Sequence, residues 1–595
     1  MKNIKKIWLI SILFMLMVCM TGCADSNATP EIKTQPADVH VSYPDSATFK
    51  VEVTNKNAVE SYQWVMVDKV GTEFVMEGLT AKSDTLVLPS TQQNFEASFY
   101  CIITGKNKEE VISDSAELVI ENNEENKPVL YVGEYAVQPG GSLNLSETMI
   151  NKTTPLGSGE VSFAENGTDI TFKNVNYNND FYSADYLIAP NVGISLVYYN
   201  NPVEEYNVTF EGENIITNNY YDEEYNAAGI PLDFLLYGQG AFEKPLINLI
   251  GDGNLTITNG TICLRAIADL DIGVDINIRE TTPHYSDAIN AKNIKIEKGT
   301  NLDIVCNGTA LYADGNLYSD GANINICSYA PKVSVGVSVK NIIQSNLTVY
   351  LLDTIANIKL VADQEKCTMT AGDTGISALT ELYIKNSEVN YEVEVNQGDS
   401  LYASNFIGFT GSYGSIENSK VSIKMDCPEL FYGIGMYFDT DVEITNSDVD
   451  VFINSDGPAL GIAPEGDFNA VDSNVEVLVS NSDKYGEGAT GGIMCSNFVA
   501  LISDPKYTVH SKAIDGMAVG CKLEDELTTD VLEYTSGYTS KNVFLREGTL
   551  CTLPENYAVS TGSFYQGDVF YSSVETFYDK TDTSKPASEV IVTIK

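Results

Sequence analysis

One short pattern, strand then sharp corner then strand, recurs from about residue 250 to 510 and restricts this chain's fold more than any other feature. Leu382 opens LYIKNSEVNYEV, Ser415 opens SIENSKVSI, Val442 opens VEITNSDVDV and Asn469 opens NAVDSNVEV. The corner residue is Asn386, Asn418, Asn446 and then Asp472. Asn and Asp tolerate the left-handed backbone that such a corner requires. Weaker copies put the corner at Asn259, Lys298, Asp320, Gln344 and Asp504. An apolar mark precedes each corner after the first: Ile289, Leu311, Val335, Ile376, Ile407, Ile434, Ile462 and Ile493. Mark to corner is nine to twelve residues, whereas corner to corner runs from 22 to 42. Two strands and a corner are therefore constant, and one loop per turn varies. A coil with three short strands per turn has this property. Successive turns stack in register, each strand type builds its own parallel sheet, and stacked corner asparagines can bond as a ladder. No single turn buries its apolar face, so stacking supplies the core.

The repeat, together with GNLTITNG at 253–260 and Ser286-Asp287-Ala288-Ile289, resembles the right-handed parallel β-helices of the pectate-lyase-like superfamily. Within that group it is most similar to non-catalytic carbohydrate-binding β-helix proteins of anaerobic Firmicutes. The resemblance spans roughly residues 160 to 520. It implies an all-β chain with a long right-handed parallel β-helix over 131–520, its N-terminal turns irregular, with early turns at 169–175 and 207–211. A left-handed β-helix fits the irregular loops poorly. A stack of sandwiches lacks a second Trp/Cys pair. Residues 521–595 lose the repeat and are expected to close the coil, since an exposed terminal strand would pair with other chains.

Residues 31–121 show alternation of period two at Ala47, Phe49, Val51 and Val53, at Tyr62, Trp64 and Met66, and at Phe99, Cys101 and Ile103. It returns at Ala116, Leu118 and Ile120. Trp64 followed by Cys101 resembles the immunoglobulin fold, in which a strand-C Trp packs beside a strand-F Cys. Two positions depart from it: the strand-B cysteine is replaced by Phe49 or Val51, and the tyrosine-corner position is Phe99. Apolar packing alone then holds the sandwich. A charged linker, 122–130, follows.

The N-terminus reads as a signal segment, 1–22: a basic start with Lys2, Lys5 and Lys6, then an apolar run from Ile7 to Met20 too short for a comfortable membrane span. Met20-Thr21-Gly22-Cys23 resembles a bacterial lipobox, which implies lipid attachment at Cys23 and a tether at 23–30. Localisation at the outer face of the cell membrane follows, with the lipid as membrane partner. Loss of the three lysines takes the formal charge from −47 to about −50. Such a surface repels nucleic acid, whose binding needs Lys and Arg. The nine cysteines after Cys23 are scattered, with no CxxC and no Cys/His cluster, which argues against structural zinc and for buried apolar roles.

Catalytic motifs of the resembled enzymes, Gly-His-Gly and Arg-Ile-Lys, do not occur, and His40, His284 and His510 lie far apart. No nucleophile-base set assembles from them, so no catalytic residue is assigned. No cofactor is required; the turns Ser319-Asp320-Gly321 and Glu465-Gly466-Asp467 are candidate calcium ligands, lacking EF-hand spacing. Tyrosines cluster in polar stretches, and Tyr220, Tyr221 and Tyr225 are the candidate ligand-binding residues, because a phenol offers an apolar face and a hydroxyl. The reading is a surface lipoprotein whose β-helix binds an extracellular ligand, a carbohydrate first. The alternatives are a polysaccharide lyase or glycoside hydrolase, and a structural or protein-binding adhesin.

Overall fold

The computed structural model describes residues 29–594 apart from internal segments, of which the longest are 180–193, 219–231, 330–339, 364–372, 397–404, 482–489, 523–537 and 580–587. Residues 29–121 form two packed, mainly antiparallel layers. In one, Val39–Ser42 runs parallel to Ala116–Glu121, followed by Ser98–Gly105, Val59–Val67 and Glu73–Val75 in antiparallel order. In the other, Ser46–Lys50 pairs with Thr85–Pro89. The alternation places Ala47, Phe49, Val51, Val53, Phe99, Cys101 and Ile103 in one shared core, with Tyr62 and Met66 half-buried against it. Trp64 lies opposite Cys101 on the neighbouring strand, fully buried, and its indole N–H donates to the Ser83 carbonyl at 2.9 Å. Phe49 occupies the space between the layers, its ring centroid 6.4 Å from Trp64 and 4.9 Å from Phe99.

The second unit begins earlier than the composition of the linker suggests: Val129–Val132 is already a fully buried strand. It pairs antiparallel with Tyr135–Val137 and with Ile194–Tyr199. Gly157–Phe163 pairs antiparallel with Asp169–Asn179. From Asp169 to Lys522 the coil-to-coil pairings are parallel, and the strands sort into three sheets. One coil shows the plan: Asp373–Ala378 in the first sheet, Glu381–Lys385 in the second, Glu388–Asn396 in the third. Each meets its counterpart one coil later, Ile376 against Phe409, Tyr383 against Ser415 and Asn390 against Ser422. This is a parallel β-helix. Beyond it Val543–Leu545 pairs parallel with Asn497–Leu501, and then Glu589–Ile594 crosses antiparallel onto Val509–Ala513. Antiparallel strands thus pair with the terminal coils at both ends, which occupies backbone groups that open edges would offer to other chains.

The corner between the second and third sheets is left-handed where expected: φ is 52° at Asn386, 49° at Asn418, 49° at Asn446 and 44° at Asp472. Some weaker copies need correction. Gly299 and Gly321, not Lys298 and Asp320, take the positive φ, because glycine has no Cβ to clash there. Asp353, at φ 47°, is the corner where Gln344 was expected. The register of Val471 against Leu501 puts Ile502, not Asp504, beside Asp472. Asn259 lies outside the described residues.

The ladder at this corner is built of hydroxyls, not of the corner amides. Thr354, Ser387, Ser419 and Ser447 each donate a backbone N–H to the hydroxyl of the next coil, at 3.0–3.1 Å through to Ser473. Asparagine ladders do form, but on the outer face of the third sheet: Asn390 donates to Asn357 and Asn357 to Asn325, each at 2.9 Å.

The apolar marks lie in the first sheet, where the chain narrows over a column of glycines. Gly375, Gly408, Gly435, Gly461 and Gly492 stack so closely that a Cβ on any of them would meet backbone or a core side chain closer than 3.0 Å. The core mark follows this glycine: Ile376, Phe409, Met436, Ile462 and Ile493 are all buried. Ile407 and Ile434, two residues earlier, belong instead to a separate cluster with Leu460, Ala463 and Met494. Ile343, not Val335, continues the column from Leu311, Val335 lying outside the described residues. With these corrections mark to corner becomes ten residues in the coils from Ile289 to Gly299 through Ile462 to Asp472, except nine from Phe409 to Asn418.

Candidate binding face

The second sheet alternates core and surface positions with period two. In Leu317–Asp320 and in Val349–Leu352 the pattern is buried, half-buried, buried, half-buried. The inward set, including Leu317, Val349, Leu351, Leu382, Ile384 and Ile416, fills the coil. The outward set brings tyrosines together. Tyr318 faces Tyr350, and Tyr350 faces Tyr383, on successive coils. Tyr413 sits opposite Glu381, one outward position to the side of Tyr383. Ring centroids are 5.9 Å apart from Tyr318 to Tyr350, 5.1 Å to Tyr383 and 6.1 Å to Tyr413. The Tyr350 and Tyr383 rings are parallel within 4° and stacked, so each covers part of the other's face. The strip therefore presents ring edges and hydroxyls to solvent. Aromatic pairs across neighbouring strands also stabilise the sheet by roughly 0.2–1 kcal/mol each.

Beside the strip, at the turn from the first to the second sheet, Leu347 is 44% exposed and Leu379 66%. Burial, then hydrogen bonding and charge from Glu443, push the Tyr413 hydroxyl up from its ordinary value. Burial and then Glu381 do the same to Tyr383. These hydroxyls stay protonated and act as donors. On the other side of the sheet a shallow hollow of about 680 Å³ runs along the corner, past Asp353, Asn386, Asn418, Asn446 and Lys420. A second, of about 430 Å³, lies over the Asn325, Asn357 and Asn390 ladder with Cys327, Lys359 and Lys424.

Cys23, His284, Tyr220, Tyr221 and Tyr225 lie outside the described residues. His40 is on an edge strand of the first unit. His510 is on the last coil, 3.0 Å from Glu589 and 3.8 Å from Glu476, on a different sheet from the tyrosines. Ser319 is buried against Thr354 at 2.8 Å and Gly321 is the coil corner. In the other turn, the Asp467 N–H bonds Asp441 at 2.7 Å. Among the described residues no three His, Cys, Asp or Glu side chains converge as a metal site. Asp450 is pushed up by burial, then by Glu476 and Asp448. A carboxyl with a raised pKa is an ingredient of general acid catalysis, but Asp450 lines neither hollow. Buried cysteines include Cys101, Cys263, Cys306 and Cys427, while Cys327 is half-buried.

No protein-family model matches the chain, and no curated protein matches it. Among solved structures it is similar to pectate lyase Pel3 from Pectobacterium carotovorum, at 11% identity over 74% of this chain and 91% of that one, with a TM-score of 0.14.

Proposed function

We propose that this chain is a lipid-anchored surface protein that binds an extracellular carbohydrate along the tyrosine strip of its β-helix. The observation that carries the reading is the row Tyr318, Tyr350, Tyr383 and Tyr413, half-buried, in step with the coil repeat and bordered by exposed Leu347 and Leu379. Rigid phenols lose little entropy on contact and offer hydroxyls to polar ligands. The first unit, with Trp64 beside Cys101 and its first sheet strand parallel to its last, is read as an immunoglobulin-like spacer above the membrane. The lipobox-like Met20-Thr21-Gly22-Cys23 supplies the anchor. The test is a glycan array probed with the full-length chain in mild detergent, beside the Tyr350→Ala/Tyr383→Ala double variant. Retention without cleavage, reduced about tenfold or more in the variant, supports the reading. Cleavage of glycans, or retention indifferent to both tyrosines, overturns it.

A further inference from the structure

Resting on the carbohydrate reading of the tyrosine strip, we infer that the strip takes uncharged glycan chains and rejects polyuronates. The argument is the charge of the face. Around the tyrosines, the outward positions of the second sheet and its corners hold Asp320, Asp353, Glu381, Glu417, Asp441 and Glu443. Against them, from Leu317 to Thr445, these positions hold one lysine, Lys385, and its ammonium lies 2.7 Å from Glu417. One coil earlier, Lys295 stands in the same column as Tyr318, but it is bonded to Glu297 and lies 3.4 Å from Asp271.

A uronate chain lying along Tyr318 to Tyr413 would bring one carboxylate per sugar to this face. The face offers it carboxylates, and lysines already engaged with Glu417, Glu297 and Asp271. A ligand carboxylate in contact with this face would stand within a Debye length, about 8 Å at physiological salt, of the nearest of these side chains, so screening would not erase the repulsion. Like charges set against one another select against the wrong partner more than they strengthen the right one. The Tyr413 hydroxyl, bonded to Glu443, adds an acceptor-rich edge suited to sugar hydroxyls, which donate. The divalent bridge that could reverse this has no preformed seat: no group of three carboxylate, His or Cys side chains converges among the described residues.

The experiment is affinity electrophoresis of the full-length chain in gels containing a neutral β-glucan, a neutral galactan or polygalacturonate, at about 0.15 M salt with EDTA and again with calcium. The expected result is retardation by a neutral polymer, lost in Tyr350→Ala/Tyr383→Ala, and at least about tenfold weaker retardation by polygalacturonate. Glu381→Gln with Asp353→Asn is expected to raise polygalacturonate retardation relative to the neutral polymer; asparagine suits the left-handed corner at position 353. Polygalacturonate retardation equal to the neutral polymer in EDTA overturns the inference and leaves the carbohydrate reading standing. Equal retardation only with calcium overturns it too, since a bridging cation would then set specificity. Silence with every polymer overturns both.

Discussion

The glycine column of the first sheet makes a prediction whose sign can be read from the structure. At Gly435 a Cβ would meet the Gly461 carbonyl oxygen and, at 2.5 Å, Val451 Cγ1. The first is backbone of the next coil, itself tied by parallel pairing, and the second is a buried side chain of the third sheet. Neither can retreat without disturbing its own coil. Gly435→Ala should therefore destabilise these coils by about 1–3 kcal/mol, the range for overpacking a filled core. Gly273 is the control. Its Cβ would stand 3.4 Å from the Leu249 carbonyl oxygen and 3.8 Å from Glu297 Cγ, ordinary contact distances. Gly273→Ala should be neutral or stabilising by up to about 1 kcal/mol, because alanine restricts the unfolded chain. A stacked coil opens in local units, so one global midpoint understates the effect. The assay is amide hydrogen exchange of Tyr432–Phe438 and its neighbours Asn405–Gly411 and Ala459–Pro464, with the urea transition alongside. A protection loss under about threefold at Gly435→Ala, or losses of equal size in both variants, would refute the steric argument.

Other expectations concern the corner and the core. Asn418→Ala should cost about 1–2 kcal/mol and Asn418→Gly much less, since φ is 49° there; equal costs in urea titrations would show that the amide and not the backbone matters. Ser419→Ala removes the acceptor of the Ser387 N–H at 3.1 Å and leaves a buried donor, for a loss of about 1–3 kcal/mol that Ser419→Thr should largely restore. Burial pushes the Cys427 thiol from 9.0 up to about 12. With the folded value raised, the contribution is whole below pH 9.0 and is lost as pH climbs toward about 12. The stability difference between the wild type and Cys427→Ala should therefore fall between about pH 9 and 12, and a flat difference would contradict it.

How much of this was legible depends on how tightly each position restricts residue type. A left-handed corner admits few residues, so Asn386, Asn418, Asn446 and Asp472 stand out in the bare sequence. Where glycine takes that role, as at Gly299 and Gly321, the flanking Lys298 and Asp320 mislead by one residue. Apolar marks restrict much less, because Ile434 is also buried, in a cluster outside the main core against which Ile407 packs half-buried. The signal that separates the two sets was present: a glycine stands immediately before Ile376, Phe409, Met436, Ile462 and Ile493. The hydroxyl ladder was equally readable, since the residues after Asp353, Asn386, Asn418, Asn446 and Asp472 are Thr354, Ser387, Ser419, Ser447 and Ser473.

The proposed binding face was harder to read for a physical reason. Clustering in sequence, the ground for choosing Tyr220, Tyr221 and Tyr225, marks neighbours along one loop. In a β-helix the lateral neighbours on a face come from successive coils, so they stand one whole coil apart in the chain. Tyr318, Tyr350 and Tyr383 are separated by 32 and 33 residues and look unrelated until the corner sets the frame. Counted back from the corner, each is in the same place, three residues before Gly321, Asp353 and Asn386. In the next two coils that place holds Ser415 and Glu443, and Tyr413 takes the outward position beside it. The aromatic strip therefore ends where Glu443 takes the tyrosine's place, while carboxylates at Asp320, Asp353 and Glu381 already flank it along its length. A ligand that follows the tyrosines finds no further ring in line there, so the same register that assembles the strip also bounds its length.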